Sequence, residues 1–169
     1  MIVLSPVLLH AGEKFKPRPD NTNLKPVTVD GVTWTGNLAG AIEQAVKEKK
    51  LIFIDFTGVT CVNCRINEKT VFAKEEVKDL FKKFVCVQIH VDSVPETLYT
   101  KPPIEEKREQ DAELNLAFQK KTFGTEQLPL YVIVKPAENN SFEVVAIYAE
   151  GKINKLDQFI EFMKKPLKD

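Results

Sequence analysis

The chain lacks an excess of either charge. Lys and Arg together number 24, Asp and Glu 24, so the net charge is zero with His neutral. A balanced chain offers no electrostatic footprint for nucleic acid or for an anionic membrane surface. Histidine is scarce at 2 and cysteine at 3, too few for a small disulfide-built scaffold. No apolar run reaches the ~20 residues a membrane span needs. The apolar start MIVLSPVLLHAG is short and carries no basic residues ahead of it, so it reads equally as an added start, a trimmed signal or the tail of an upstream membrane segment.

What is present is an ordinary globular composition, 43% hydrophobic over 169 residues, enough for one domain with a core. Residues 12–27, GEKFKPRPDNTNLKPV, hold three prolines and read as a linker or surface-laid arm, so residues 1–26 form an arm and the compact domain starts near Val27. VTVDGVTW (27–34) carries an Asp-Gly hairpin signal. Leu38, Ala41, Ile42, Ala45 and Val46 recur at helical spacing up to the lysine-rich end at 47–50. LIFIDF (51–56) and FVCVQIHV (84–91) read as strands buried on both faces. Between them a helix opens at Cys61, and a second carries Val77, Leu80, Phe81 and Phe84. DAELNLAFQKK reads as a helix with Leu114, Ala117 and Phe118 inward. LYVIV (130–134) and FEVVAIYA (142–149) form an antiparallel pair ended by Gly151, and Asn154 is a candidate cap for a last helix with Leu156, Phe159, Ile160 and Met163 inside. Strands alternating with helices predict an α/β sandwich, a mixed central sheet with helices on both faces. Residues 93–110 are too long for a simple connection and read as a polar insertion, either a partner-binding surface or a solvated loop.

The chemistry is concentrated in FTGVTCVNCRINEKTVF, where Cys61 and Cys64 form a Cys-x-x-Cys. Three readings compete. Zinc needs about four ligands. The remaining candidates are His10, Cys86 and His90, and the last two lie ~13 Å apart along one predicted strand. A structural staple gains little from so short a loop, because the entropic effect of a disulfide grows with loop length. A redox pair suits the setting best. Cys61 would open a helix, where unpaired backbone N–H groups favour a thiolate, and Cys64, one turn on, would resolve a mixed disulfide. A strand, a Cys-x-x-Cys and a helix in an α/β chain is the thioredoxin-like pattern. Asp55 interrupts the apolar strand six residues before Cys61. Buried there, it would have a raised pKa and could move a proton as the disulfide opens and closes, or it could simply bond to backbone. Cys86 reads as a buried free thiol, Trp34 as core, His90 as a strand-end residue, and Arg65 as either a support for the thiolate or a solvated charge.

These residues carry a resemblance. IDFTGVTCVNC resembles the thioredoxin superfamily's strand acid, turn and redox pair. FGTEQLP has the spacing of the segment leading to that superfamily's cis-proline, here Pro129. DFTGVTCVNCRINEKTVF is most similar to the C-terminal domain of DsbD-type transmembrane thiol:disulfide interchange proteins, also called cytochrome c biogenesis proteins. The resemblance implies a thioredoxin-like three-layer sandwich in which Cys61 attacks and Cys64 resolves, with no cofactor beyond the disulfide and no metal. It implies that Asp55 and Glu68 oppose thiolate formation until a partner docks, and that Leu128 and cis-Pro129 offer backbone to an incoming chain. It further implies a domain outside the cytoplasm that passes electrons from a membrane-embedded dithiol to periplasmic thiol proteins, with an upstream membrane segment as its candidate tether. A free-standing exported thioredoxin and a non-catalytic binding module with a permanent bridge are the alternatives. Two departures stand out: Thr60 replaces the tryptophan often found before the first cysteine, and Val62-Asn63 is neither Gly-Pro nor Pro-His.

Overall fold

The computed structural model describes residues 12–18 and 23–168. The apolar start and His10 therefore lie outside the described residues. In chain order the elements are β1 (Lys14–Phe15), β2 (Val27–Val29), β3 (Val32–Thr35), α1 (Leu38–Glu48), β4 (Leu51–Thr57), α2 (Val62–Asn67), a π-helical turn (Glu68–Phe72) and α3 (Glu75–Phe81). Then follow β5 (Phe84–His90), a 3-10 turn (Glu96–Leu98), α4 (Glu105–Phe123), β6 (Leu130–Ala137), β7 (Ser141–Tyr148), α5 (Leu156–Lys164) and a 3-10 turn (Lys165–Leu167).

The strands form one seven-stranded sheet in the order β1-β7-β6-β4-β5-β3-β2. β4 runs parallel to β5 and antiparallel to β6, so the sheet is mixed. Period-two alternation splits β4 between two cores. Ile52, Ile54 and Phe56 face a layer with α1 and the end of α4. Phe53 faces the other layer, with α3 and α5, where it meets Trp34, Phe81, Tyr131 and Phe159. Asp55, two residues on from Phe53, points the same way as Phe53, into the layer that also holds the π turn. This is the three-layer α/β sandwich expected.

Local chemistry sets the element ends. Asn37 caps α1 by accepting from the Gly40 N–H at 3.0 Å. Lys49 closes that helix in the left-handed region at φ 53°, and Lys50 leads into β4.

The structure differs from the sequence reading in four places. Phe84, read both as part of the preceding helix's inner face and as the start of the strand FVCVQIHV, belongs to β5 alone. The last helix is capped by Lys155 without a side-chain bond, so Asn154 is not its cap. Of residues 93–110, those from Glu105 onward are already helical. The fourth difference is the face of α4. Leu114 and Ala117 are exposed and Phe118 is half-buried, while Asp111, Asn115 and Gln119 are buried at i, i+4, i+8. The helix buries a polar stripe because it meets backbone carbonyls rather than an apolar wall. Asn115 donates to the His90 carbonyl and Gln119 to the Gln127 carbonyl, each at 2.8 Å. Asp111 accepts from Tyr99 at 2.8 Å, Lys107 at 2.7 Å and Arg18 at 2.6 Å.

The proline-rich arm is part of this arrangement. Lys14–Phe15 pairs with Phe142–Glu143 of β7. Leu24 bridges to Tyr99 and joins Val94, Tyr99 and Ala112 in a small satellite core.

Candidate active site

β4 delivers the chain to the site. After Thr57 it turns through Gly58, Val59 and Thr60 to Cys61. That turn is wrapped round one carboxylate. Asp92 Oδ1 accepts the Val59 N–H, and Oδ2 accepts both the N–H and the hydroxyl of Thr60, all at 2.8 Å. The Ser93 N–H adds a fourth bond at 2.7 Å. A Cβ on Gly58 would stand 2.8 Å from Asp92 Oδ2, so the wrap requires glycine at that point. Burial works against the charge on Asp92, but the N–H groups of Thr60 and Val59 outweigh it and hold its pKa below the usual carboxylate range. Thr60, singled out as a departure, is thus anchored to Asp92, which sequence reasoning missed. Replacing Asp92 with alanine is expected to cost about 1 kcal/mol of stability. More specifically, it should strip hydrogen-exchange protection from the amides of Val59 and Thr60; unchanged protection there would show that the carboxylate does not hold the turn.

Cys61 is the N-cap residue of α2, and its Sγ accepts the Cys64 N–H at 3.2 Å. The two cysteines are joined by a disulfide, with Cα atoms 5.3 Å apart. Cys61 is partly exposed, whereas Cys64 is 1% exposed. An incoming thiol therefore reaches Cys61 first. Val59 and Val62 flank it at 48% and 70% exposure, an apolar collar around the accessible sulfur.

Asp55 is 1% exposed. Burial pushes its pKa up to about 7, against a downward pull from the Gln88 amide. Gln88 lies directly across β5 in register and donates to Asp55 Oδ2 at 2.9 Å. Glu68, on the π turn, is also raised by burial and is countered by Arg65, which pairs with it at 2.8 Å. The Arg65 guanidinium reaches back to the Thr57 hydroxyl at 2.8 Å and to the Gly58 carbonyl at 3.3 Å. It braces the turn at Thr57 and Gly58 and pairs with Glu68 rather than standing free in solvent. His90, at the end of β5, is driven down to about 4 by burial, with Arg65 adding to the effect.

The Leu128–Pro129 peptide is cis. Pro129 is buried and Leu128 half-buried. Gln127 places this segment: Gln119 of α4 donates to its carbonyl, and its own Nε2 donates to the Ala149 carbonyl. Asn63 Nδ2 and Gln127 Nε2 both lie 3.9 Å from where a Cβ on Gly151 would stand, so the Cys-x-x-Cys dipeptide, the cis-proline segment and the loop after β7 meet there. Asn67 locks the junction from beneath. Fully buried, it donates to the Tyr131 hydroxyl at 2.9 Å and the Gly151 carbonyl at 3.0 Å, and accepts from Ile153 N–H at 2.9 Å. Asn67, Gln88 and Gln127 were not recoverable from the sequence, because their partners are backbone atoms or lie far along the chain.

Cys86 is buried and unpaired, its thiol bonded to the Phe81 carbonyl at 3.4 Å and its pKa pushed up by burial. Among the described residues no group of three or more His, Cys, Asp or Glu is placed to hold a metal ion. No helix among them is long and apolar enough to cross a membrane.

The family model for thioredoxin-like proteins matches residues 33–136, more than half the chain. No curated protein matches it. Solved structures with a similar fold include a thioredoxin from Thermus thermophilus, at 17% identity and a TM-score of 0.56 over 79% of this chain and 85% of that one. A DsbH oxidoreductase aligns at 19% identity and a TM-score of 0.56 over 88% of this chain and 93% of that one. The oxidised DsbD C-terminal domain of Neisseria meningitidis aligns at 21% identity and a TM-score of 0.50, over 76% and 91%.

Proposed function

The chain belongs to the thioredoxin-like family, and from that premise we propose that it is a thiol:disulfide oxidoreductase whose working group is the Cys61–Cys64 pair. One observation carries the reading: an accessible cysteine capping a helix, bridged to a sealed one, on the sheet layer that buries an acid titrating near neutrality. A permanent bridge has no use for such an acid.

The chemistry balances as two displacements. In the reducing direction the Cys61 thiolate attacks a sulfur of the partner's disulfide, and the partner's second sulfur leaves as a thiolate. Cys64 then gives its proton to Asp55 and attacks Cys61 Sγ, the partner's remaining sulfur leaves as a thiolate, and the Cys61–Cys64 bond reforms. The partner gains the two electrons that the pair loses. The reverse sequence recharges the pair from a donor dithiol. Backbone N–H groups at the start of α2 favour the Cys61 thiolate, and the nearby carboxylates Asp55 and Glu68 oppose it. Leu128 and Pro129 offer backbone to the partner's chain, and Val59 and Val62 favour apolar residues beside its cysteine.

The finer reading rests on the resemblance of DFTGVTCVNCRINEKTVF to DsbD-type C-terminal domains. On it, the protein works outside the cytoplasm, takes electrons from a membrane-embedded dithiol and hands them to periplasmic thiol proteins, including those of cytochrome c maturation. The test of the core claim is equilibration with glutathione buffers, followed by alkylation of free thiols and mass mapping. Reversible opening, with Cys61 alkylated ahead of Cys64, is the expected result. A bridge that glutathione at no ratio opens would instead mark a binding module with a fixed disulfide.

A further inference from the structure

Two carboxylates of the site share one amide. Gln88 Nε2 donates to Asp55 Oδ2 at 2.9 Å and lies 3.5 Å from Glu68 Oε1. An amide nitrogen carries two N–H groups, one for each acid. Asp55 Oδ1, by contrast, is buried and accepts no hydrogen bond. A cleft of about 220 Å³ reaches this network from the surface, lined by Arg65, Glu68 and Gln88 and walled by Trp34 and Phe72. Asp55 is sealed, Gln88 is half-buried, and so the amide links the hidden acid to the cleft.

We propose that Gln88 is the positioning residue of the proton step, fixing which oxygen of Asp55 carries the proton and coupling that proton to Glu68 at the cleft. The proposal rests on the redox reading of the dithiol given above. With Oδ2 committed to the Gln88 N–H, a proton on Asp55 occupies Oδ1. When Cys64 closes the disulfide, its Sγ–H proton passes to Oδ1 and its sulfur lone pair forms the bond to Cys61. The proton is released to water before the next cycle, and it returns when the disulfide is opened.

The other charged or titratable groups facing Asp55 are few. From β6 there is Tyr131, its register partner. From β5 there is the Cys86 thiol. Arg65 and Glu68 approach from α2 and the π turn. Arg65 is already shared among Glu68, the Thr57 hydroxyl and the Gly58 carbonyl. Gln88 is therefore the donor that directly favours the Asp55 anion, while the Glu68 charge close by disfavours it.

The experiment is a carboxyl-carbon NMR titration of the whole chain beside the pH profile of disulfide exchange, using Gln88→Met, which keeps the length and loses both N–H groups. Losing a donor to a charged acceptor should raise the Asp55 midpoint by about one pH unit. The exchange profile should move by the same amount, and Gln88→Glu should move both further. In an Asp55→Asn background, Gln88→Met should leave the profile where it was. If Gln88→Met does not fold, the unaltered protein still decides: the Gln88 side-chain amide resonances should titrate with the Asp55 midpoint. An unmoved Asp55 midpoint, an unmoved exchange profile, or silent amide resonances each overturn the proposal while leaving the dithiol chemistry intact. No exchange in the unaltered protein at any pH overturns the redox reading, and the proposal with it.

Discussion

A Cys64→Ser protein is expected to accumulate as a covalent adduct with a disulfide partner and to turn over no substrate. Cys61 is the reachable sulfur and Cys64 is sealed behind it. Attack on a partner's disulfide therefore still proceeds, but nothing within the chain can displace the mixed disulfide afterwards. Non-reducing electrophoresis after mixing with a disulfide-bonded protein should show the adduct, and added thiol should release it. Cys61→Ser should form no adduct at all. Adducts of equal yield through either cysteine would refute the assignment of attacker and resolver. The loss should be complete rather than graded, because Cys86 is sealed in the core with its thiol bonded to the Phe81 carbonyl and cannot substitute.

The second large effect concerns Asp55→Asn. The Asp55 pKa is raised in the folded chain from 3.8 to about 7. Between those values the folded protein holds a proton that the unfolded chain has lost. This contribution to stability is fully present below the unfolded pKa and is lost as pH rises towards 7. The interval corresponds to a loss on the order of 4 kcal/mol. Asparagine cannot ionise, so Asp55→Asn should be more stable than the parent by that order at pH 8 and close to it at pH 4. Urea midpoints of both proteins at the two pH values measure this. A stability difference independent of pH would remove Asp55 from the list of perturbed acids. The same variant should exchange disulfides more slowly, trading activity for stability as strained sites do.

The sequence revealed the elements whose signal is local. The apolar run of β4, the period of α1 and the Cys-x-x-Cys between strand and helix each depend on near neighbours, and each was placed where it occurs. Asp55 was legible because a single acid within LIFIDF is costly unless it is used. The polar face of α4 was not legible. Its buried residues answer carbonyls of His90 and Gln127, and periodicity of apolar residues cannot register a helix that packs against backbone. Nor was Asp92, whose four donors lie in a turn more than thirty residues earlier and at Ser93. Glu68 was marked by the resemblance alone, and its tie to Arg65 and Gln88 required the fold.

The arm that composition marks as a linker or a surface-laid segment bears on how the molecule can be dissected. Lys14 and Phe15 extend the sheet, the Arg18 guanidinium neutralises the buried Asp111 carboxylate, and Leu24 fills the space beside Tyr99. A fragment started at residue 27 would keep every residue of the dithiol site. It would also leave the buried Asp111 with Lys107 and Tyr99 but without its arginine. Asp111 and Gln119 share one face of one helix, and Gln119 holds the segment leading to Pro129. Trimming the arm should therefore loosen, from its far end, the helix that holds the segment leading to Pro129. For anyone cutting the gene for expression, a start at or before Lys14 keeps these contacts.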